Sequence, residues 1–303
     1  MKTVIIFGGS GYVGGHIIRR IAKNGYKIIV PYQRQINESK LRLLGITGQI
    51  IPLYFRSLKE KKITNLIKKS NIILNLKTNW DENHISFQGG ILDFNIDLVN
   101  IIKNHAINNQ FIYFSGIGSD KKTDSNRSKA IYKSEQYIRN NLENSIIIRP
   151  GIILGGGDQF TKALIPIFKA SFFIPLFGNG LTKLQPVFID DVSMGVNNII
   201  MSNLIGNHIF EFVGYEVFTY KDLYNFFSKC LNKTRVLLPI PLNLARLAVR
   251  ILEKTPFSPI KYEQLRLFEE DNIASSRFKK LHNINVEPQD IREIIKKIIK
   301  KNI

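Results

Sequence analysis

Three glycines near the start of the chain have a spacing that serves phosphate binding. Gly8, Gly11 and Gly14 follow the apolar run Val4–Phe7 and open an amphipathic stretch. In such a G-x-x-G-x-x-G loop, one glycine permits a tight turn, one lets the backbone approach a pyrophosphate and one lets a helix pack on the strand. The helix end adds N–H groups and a positive dipole end. The alternative is a glycine-rich turn without a ligand. The predicted dinucleotide contacts are Gly8, Gly9, Ser10, Gly11, Tyr12, Val13 and Gly14.

The residues after the second apolar run indicate which dinucleotide is bound. No acid stands between Pro31 and Asn37, where an NAD-binding protein usually has Asp or Glu on the ribose 2′-hydroxyl. Gln33 and Arg34 stand there instead, and a guanidinium matches the geometry of a phosphate. The sequence therefore favours NADP(H) over NAD(H). The alternative is that Arg34 is only a solvated loop residue.

These candidate residues require a set of strands and helices to position them. Short apolar runs alternate with amphipathic ones, which predicts βαβ units and a parallel sheet. The runs are rich in Ile and Val, as strands covered on both faces are. The predicted strands are Val4–Phe7, Lys27–Pro31, Gln49–Leu53, Ile72–Leu76, Gln110–Phe114 and Ser145–Ile148. The predicted helices are Val13–Lys23, Glu38–Leu44, Leu58–Lys68, Ile91–Asn104 and Lys129–Asn141. The fold class is α/β, a Rossmann-type doubly wound parallel sheet.

The pattern changes after residue 150, where strands become sparser. We expect residues 1–150 to form the NAD(P)-binding Rossmann domain and residues 151–303 a smaller, less regular C-terminal substrate or partner lobe. That lobe is predicted to return strands to the sheet, for example Pro186–Ile189 and His208–Val213. Asp190 or Asp191 is predicted to cap the helix that continues to Met201.

The composition excludes several classes of protein. One cysteine in 303 residues rules out an internal disulfide and a Cys-based zinc site, and no metal site is predicted. The sequence shows neither a signal peptide nor an apolar run long enough to span a membrane, which indicates a cytoplasmic protein. The net charge is +19, but Lys, Ile and Asn are abundant throughout, as AT-rich codons produce. No aromatic-basic motif accompanies the charge, so no nucleic-acid partner is expected.

Two apolar stripes in the second half allow more than one interpretation. The first runs along residues 242–252 beside Arg246, Arg250 and Lys254, and it predicts either a core helix or a partner or membrane surface. The second predicts a docking helix with lysines on its outer face. The first stripe consists of Leu242, Leu244, Leu247, Ala248, Ile251 and Leu252, and the second of Ile291, Ile294, Ile295, Ile298 and Ile299.

Several stretches resemble the extended and atypical short-chain dehydrogenase/reductase group, and within it the NADPH-binding accessory subunit of respiratory complex I and its bacterial relatives. The resemblance runs from about residue 3 to about residue 260. The resemblance implies a Rossmann domain that holds NADPH tightly. It also implies a subunit on the hydrophilic arm of complex I, near the membrane and the quinone region, that does not carry out the main electron transfer. The matching stretches are Phe7–Gly14, Ile29–Tyr32, Ser70–Leu76, Phe114–Gly118, Ile148–Gly151, Gln185–Val192 and Thr255–Pro259.

The pocket departs from this family in two places. Arg56 stands where the third strand usually ends in an Asp that contacts adenine, and Lys77 stands where a small residue follows Leu76. Both changes add positive charge, which suits a phosphorylated cofactor. Pro150 is expected to shape the turn at the nicotinamide end.

The catalytic pattern of the family is broken as well. Active members use Tyr-x-x-x-Lys with a Ser, in which the lysine lowers the tyrosine pKa for proton transfer. Ser115 is in place, but alignment on Glu135 puts Arg127 and Ile131 in the two other positions. The candidates that remain for catalysis are Ser115, Lys129 and Tyr132, and Lys129 is also a candidate for the nicotinamide ribose.

The sequence thus predicts a non-catalytic NADP(H)-binding accessory or assembly subunit of complex I. Its expected partners are complex I subunits or an anionic membrane surface, on the inner face of the cell membrane. The alternative is a free-standing NADP-dependent reductase, epimerase or dehydratase with an unorthodox proton donor. Nucleic-acid binding is the third hypothesis. It rests on the high charge alone, because no nucleic-acid motif accompanies that charge.

Overall fold

A computed structural model describes residues 2–105, 109–120, 124–253 and 260–302, and fourteen strands and eleven α-helices lie within these ranges. The strands are β1 (Thr3–Phe7), β2 (Lys27–Tyr32), β3 (Ile50–Tyr54), β4 (Ile72–Asn75), β5 (Gln110–Phe114), β6 (Ser145–Pro150), β7 (Ile153–Leu154), β8 (Phe173–Phe177), β9 (Lys183–Leu184), β10 (Val187–Phe188), β11 (His208–Phe212), β12 (Phe218–Thr219), β13 (Val236–Ile240) and β14 (Lys279–Lys280). The helices are α1 (Tyr12–Ala22), α2 (Glu38–Arg42), α3 (Lys61–Lys69), α4 (Phe94–His105), α5 (Asn126–Asn141), α6 (Gln159–Ala170), α7 (Ile189–Met201), α8 (Tyr220–Cys230), α9 (Leu242–Leu252), α10 (Tyr262–Leu265) and α11 (Ile291–Asn302). A π-helical segment, Gln88–Asp93, leads into α4.

Eight of these strands form one sheet in the order β14-β11-β6-β5-β4-β1-β2-β3, and every neighbouring pair is parallel. The chain runs outward from β1 through β2 to β3, then crosses to β4 and continues in the other direction. Ligands of such sheets bind where the strand order reverses, beyond the carboxyl ends of the strands. The predicted Rossmann-type, doubly wound sheet is confirmed, and the reversal falls between β1 and β4.

The central strands form because their side chains are apolar on both faces. Ile5 of β1, Ile73 of β4 and Phe111 of β5 are fully buried and pack with Ile63 of α3 and Ile138 of α5 in one core cluster. Each isoleucine of this kind contributes about 1.5–3 kcal/mol through burial. This core fixes the carboxyl edge of the sheet that carries the candidate site.

The contacts divide the chain into two compact units. The first contains Met1–Pro150, Asp190–Phe212 and Arg277–Val286, and the second Gly151–Ile189, Val213–Ser276 and Glu287–Ile303. The first unit gives way to the second after Pro150, which is the boundary expected from the sequence. Two later segments, Asp190–Phe212 and Arg277–Val286, belong to the first unit again. The predicted return of His208–Val213 to the sheet is confirmed by β11.

Two expectations for the region around residue 190 are wrong. The stretch Pro186–Ile189 does not join the main sheet, because β10 pairs with β7 in a separate two-stranded sheet and Pro186 has no N–H for a ladder bond. Asp190 and Asp191 do not cap α7, since the helix begins at Ile189 and both acids lie inside its first turn. There they face the positive end of the helix dipole.

The second unit has its own core, built from α6, α8, α9 and α11. The five isoleucines of α11 are all buried in it, and Lys296, Lys297, Lys300 and Lys301 are exposed, so this helix docks within its own unit. In α9, Ala245 and Val249 are the buried residues. The core-packing interpretation of the α9 stripe is therefore wrong for its five exposed members, Leu244, Leu247, Ala248, Ile251 and Leu252.

None of the helices in the described ranges combines the length and apolar character that crossing a bilayer requires. The same part of the chain contains no group of three or more His, Cys, Asp or Glu side chains placed to hold a metal ion. Lys254 and the motif Thr255–Pro259 lie outside the described residues.

Candidate functional site

The glycine loop is built by contacts that exclude larger residues. Gly8 has a φ of +74°, and its carbonyl accepts the N–H of Gly11 at 3.2 Å, which closes a tight turn. A Cβ atom on Gly8 would lie 2.8 Å from the carbonyl carbon of Leu76, and one on Gly14 would lie 2.6 Å from the carbonyl carbon of Gly9. Real Cβ atoms do not approach so closely, so the loop must contain glycine at both positions to pack on β4 and on α1.

The amino end of α1 is arranged to receive an anion. The helix begins at Tyr12 and is preceded by Gly11, which has no side chain to cap it, and its first turn contains no acidic residue. Ser10 and Gly11 are exposed, whereas Gly9 and Gly14 are buried under the turn; Tyr12 and Val13 are partly exposed in the first turn of the helix. A helix end without a side-chain cap is a site for phosphate. The loop fits the pyrophosphate of a dinucleotide.

A chain of hydrogen bonds joins the ends of β2, β3 and β4. Lys77 donates from Nζ to Oε1 of Gln33 at 2.7 Å, and Gln33 donates from Nε2 to the carbonyl of Arg56 at 3.0 Å. Arg34 stands beside Gln33 and is exposed, as is Arg56. Burial and the charge of Arg34 lower the pKa of Lys77 to about 8. The structure therefore brings the four predicted polar residues of the pocket together.

A second polar group occupies the edge beyond β5 and β6. Ser115, after β5, donates its hydroxyl to Glu135 of α5, and Ser119 donates to the same carboxylate at 2.8 Å. Arg149 of β6 donates to Glu135 from Nε at 3.0 Å and from Nη2 at 2.5 Å, and its Nη1 lies 3.1 Å from Asp120. Glu135 and Arg149 are each only 2% exposed. Burial lowers the pKa of Arg149, but the hydrogen bonds and charges of Glu135 and Asp120 raise it by more.

Sequence reasoning missed Glu135, Arg149, Ser119 and Asp120 as parts of this group. The signal was present, because Ile131, Glu135 and Ile138 repeat at helical spacing on the buried face of α5. Arg149 likewise follows three consecutive isoleucines in the buried strand β6. A charged residue on each of two buried elements predicts that the two pair.

The remaining catalytic candidates are not joined to this group in the described part of the chain. The Nζ atom of Lys129 lies 3.5 Å from the carbonyl of Asp124, and Lys129 is exposed. Tyr132 is partly exposed, and Ile131 is buried. Within the described ranges, no hydrogen bond connects Lys129 or Tyr132 with Ser115. Leu76 and Pro150 are partly exposed at the ends of β4 and β6, where the sequence predicted them.

Arg127 holds the loop after β4 from its position on α5. Its Nε donates to the carbonyl of Asn79 at 2.8 Å, its Nη2 donates to the Thr78 hydroxyl at 3.0 Å, and its guanidinium lies 3.8 Å from the centre of the Trp80 ring. The side chain at this position thus positions a loop and has no proton to exchange at neutral pH.

Comparison with known proteins agrees with this geometry. Residues 4–202 match the profile of the NAD dependent epimerase/dehydratase family. The chain is 26% identical over 301 residues to the NADH dehydrogenase [ubiquinone] 1 alpha subcomplex subunit 9 of Arabidopsis thaliana, covering 95% of this chain and 74% of that protein. It is 24% identical to the corresponding subunit of Rattus norvegicus, with 93% and 76% covered. A sterol-4-alpha-carboxylate 3-dehydrogenase of Dictyostelium discoideum is 25% identical, with 81% and 82% covered.

Solved structures share the fold at low sequence identity. A dTDP-glucose 4,6-dehydratase from Bacillus anthracis, determined with NAD, superimposes with a TM-score of 0.73 at 14% identity over 99% of this chain and 96% of that one. A UDP-glucuronic acid 4-epimerase variant from Bacillus cereus, also with NAD, gives 0.71 at 13% identity, with 99% and 100% covered. The likeness is one of fold.

Proposed function

This chain belongs to the NAD dependent epimerase/dehydratase family, and we propose that it is a non-catalytic NADP(H)-binding accessory or assembly subunit of respiratory complex I. The observation that carries the proposal is the contrast between an intact glycine loop and an α5 helix in which Arg127 and Ile131 replace a proton-transfer pair. The glycine loop can hold the dinucleotide, whereas the polar side chains near its nicotinamide end are hydrogen-bonded to other residues: Ser115 to Glu135, and Arg127 to the loop after β4.

The predicted pocket residues divide by the part of the dinucleotide that each would hold. The glycine loop and the first turn of α1 fit the pyrophosphate. Gln33, Arg34, Arg56 and Lys77 surround the place expected for the ribose phosphate. Leu76, Pro150, Ser115 and Lys129 would border the rest of the cofactor. When bound, the reduced cofactor supplies a hydride donor, and the proposed role of the site is to retain the cofactor as a structural ligand, which stabilises the state that binds it.

The chemistry at Ser115 supports the absence of turnover. A serine that assists carbonyl reduction donates its hydroxyl proton to the substrate oxygen, but here that proton is donated to Glu135. An ionised carboxylate only accepts hydrogen bonds, so it has no proton to donate in place of the serine proton. Glu135 also accepts two hydrogen bonds from Arg149. Ser115 is therefore available to a ligand only as an acceptor.

Association with complex I is supported by the relatives and by one surface of the second unit. The relatives named above from Arabidopsis and rat are subunits of NADH dehydrogenase. On α9, Leu244, Leu247 and Ile251 share one face by their spacing and are each about 60% exposed. Arg250 lies beside them and is exposed. An apolar face with basic neighbours fits a subunit with an acidic rim or an anionic leaflet, and the proposed location is peripheral, on the inner face of the cell membrane.

A catalytic alternative is favoured by the similarity to the sterol dehydrogenase. In that case the chain would be a free-standing NADP-dependent reductase, epimerase or dehydratase, with Tyr132 or Lys129 as the proton donor. Purified protein incubated with NADPH and a panel of small carbonyl compounds separates the two functions. We expect retention of NADPH and a turnover below about 1 s⁻¹. Faster turnover with any compound would establish the enzyme and refute the accessory role.

Membership of complex I is tested by sedimentation from native membranes. The full chain is expected to sediment with membranes that contain complex I, to be released by high salt because salt screens exposed charges, and to be captured together with complex I subunits. Membranes from a strain without complex I are the control. Equal retention on those membranes would contradict the proposal.

A further inference from the structure

Lys77 is an unusual residue at the edge of the sheet because its charge is half-buried without an acid to balance it. Its backbone N–H donates to Oδ1 of Asn75 at 3.0 Å, and the peptide before it packs against Gly8. The residue is thus held directly against the glycine loop. Its side chain extends to Gln33, so that it bridges the loop and the end of β2.

The ammonium group of Lys77 contacts a hydrogen-bond acceptor and an aromatic ring, and these contacts do not use all three of its N–H donors. Nζ donates to Gln33 and lies 4.0 Å from the centre of the Phe94 ring. In the described ranges, no ion pair joins the side chains of Lys77, Arg34 or Arg56 to a carboxylate. Lys77 and Arg34 are close enough for their charges to interact. Two cations of this kind, with no ion-paired acid at the rim of a phosphate loop, fit a ligand with a further negative group.

We propose that Lys77 acts with Arg34 to distinguish NADP(H) from NAD(H), by contacting the ribose phosphate from the end of β4, and that this contact takes up a proton. The inference rests on the proposed cofactor function and deepens it. The phosphate is read by Arg34 after β2 and by Lys77 after β4 together. Gln33, hydrogen-bonded on both sides, sets the direction of the lysine side chain.

The proton coupling follows from the surroundings of Lys77. Burial and the charge of Arg34 hold its pKa at about 8 without a ligand, and the negative charge of a phosphate dianion would oppose both effects by favouring the protonated lysine. The neighbouring acids and phenol do not titrate in this range. The hydrogen bond between Tyr32 and Glu38 raises the pKa of the phenol and lowers the pKa of the carboxyl, and the backbone N–H of Arg56 helps to lower the pKa of Glu60 to about 2. Above pH 8 the free protein loses the lysine proton, so binding must recover it.

The test is calorimetry of NADPH and NADH binding to the full chain, to Lys77→Met and to Lys279→Met. Methionine keeps the contact with the ring and removes the charge. Lys279 also lies over a phenylalanine ring, 5.7 Å from that of Phe210 on β11, and serves as the matched control. We expect Lys77→Met to weaken NADPH binding about 10- to 100-fold, the loss for a hydrogen bond between charged groups, and to change NADH binding far less. Lys279→Met should match the wild type.

The pH arm measures the same titrations at pH 7 and pH 9. The dissociation constant of NADPH should rise about tenfold, as follows for a group with a pKa of about 8 that binds only when protonated. NADH should show little of this rise, and Lys77→Met should show none. Titrations at pH 8 in two buffers of different ionisation enthalpy should show uptake of about half a proton for NADPH with the wild type.

The outcomes separate the two proposals. If the wild type prefers NADPH and Lys77→Met keeps that preference, the role of Lys77 is refuted and the cofactor proposal stands. If Lys77→Met weakens NADPH and NADH equally, the lysine contacts the pyrophosphate and the inference fails. If the wild type binds both dinucleotides equally, the cofactor proposal itself fails.

Discussion

Two parts of the sheet edge in the first unit treat charge in opposite ways. Around β1, β2 and β4, the amino end of α1 has no side-chain cap, and the described residues contain no carboxylate paired with the side chain of Arg34 or Lys77. Around β5, β6 and α5, Glu135 is surrounded by two hydroxyls and a guanidinium. In the first part, positive charges without a carboxylate partner remain able to bind an anion. In the second part, the polar groups are hydrogen-bonded to one another. This division supports the proposal of a subunit that holds a dinucleotide without turning it over.

The largest effect is expected from filling the glycine loop. In Gly14→Ala the added Cβ would lie 2.6 Å from the carbonyl carbon of Gly9, which is backbone and cannot move aside. The loop must separate from α1, so dinucleotide binding should be lost by calorimetry even in protein that still folds by circular dichroism. Gly25→Ala is the strained control, since its φ is +75° but nothing lies within 4 Å of its Cβ. Equal loss of binding in both variants would show that general destabilisation of the unit, and not the close packing of Gly14 on Gly9, is responsible.

The second effect tests the completed part of the edge. Glu135→Ala removes the carboxylate that binds Nε and Nη2 of the buried Arg149 and leaves only Asp120 beside Nη1, and breaking a buried pair costs about 3–5 kcal/mol. Chemical denaturation should show a loss of that size in the free energy of unfolding. Glu38→Ala is the control, because its pair with Arg42 is on the surface and contributes at most about 1 kcal/mol. Losses of equal size in the two variants would mean that the α5 group is not a structural centre.

The same comparison explains what the sequence could and could not predict. The glycine loop, the parallel sheet and the absence of a Tyr–Lys pair were evident because each depends on residues close in sequence. Glu135 and Arg149 are 14 residues apart and meet only when α5 packs beside β6. The error at β10 has the same origin, since a two-residue strand selects its partner by tertiary packing. Short strands carry too little hydrophobic pattern to fix their place in a sheet.

A third effect concerns the open part of the edge and the choice of cofactor. Arg34→Ala should narrow the difference between NADPH and NADH affinity by about 1.5–3 kcal/mol, because a guanidinium–phosphate contact is lost. Arg42→Ala, on α2 and paired with Glu38, should leave that difference unchanged. Fluorescence titration with both reduced dinucleotides measures it. If the wild type shows no preference, or Arg34→Ala retains the full preference, the phosphate is not read by this arginine.

The smallest effect on stability is expected in the second unit, on the exposed face of α9. The same substitution should clearly weaken association with membranes that contain complex I. Leu247 is 60% exposed on α9, whereas Val249 on the same helix is buried. Leu247→Asp should therefore change the free energy of unfolding by no more than about 0.5 kcal/mol, as surface substitutions do. It should nevertheless reduce sedimentation with membranes that contain complex I, because a carboxylate replaces an apolar contact.

Val249→Asp is the matched variant and should unfold the unit, since it buries an unpaired charge. Arg250→Glu should weaken association in the same way as Leu247→Asp. It is a cleaner charge reversal than one at Arg246, whose Nε lies 2.9 Å from Glu269 and whose loss would also break that pair. NADPH affinity should be unchanged in Leu247→Asp and Arg250→Glu, because the residues proposed to hold the cofactor all lie elsewhere in the chain. If Leu247→Asp unfolds the protein, α9 is a core helix after all; if it folds and still sediments normally, the contact with complex I lies on another surface.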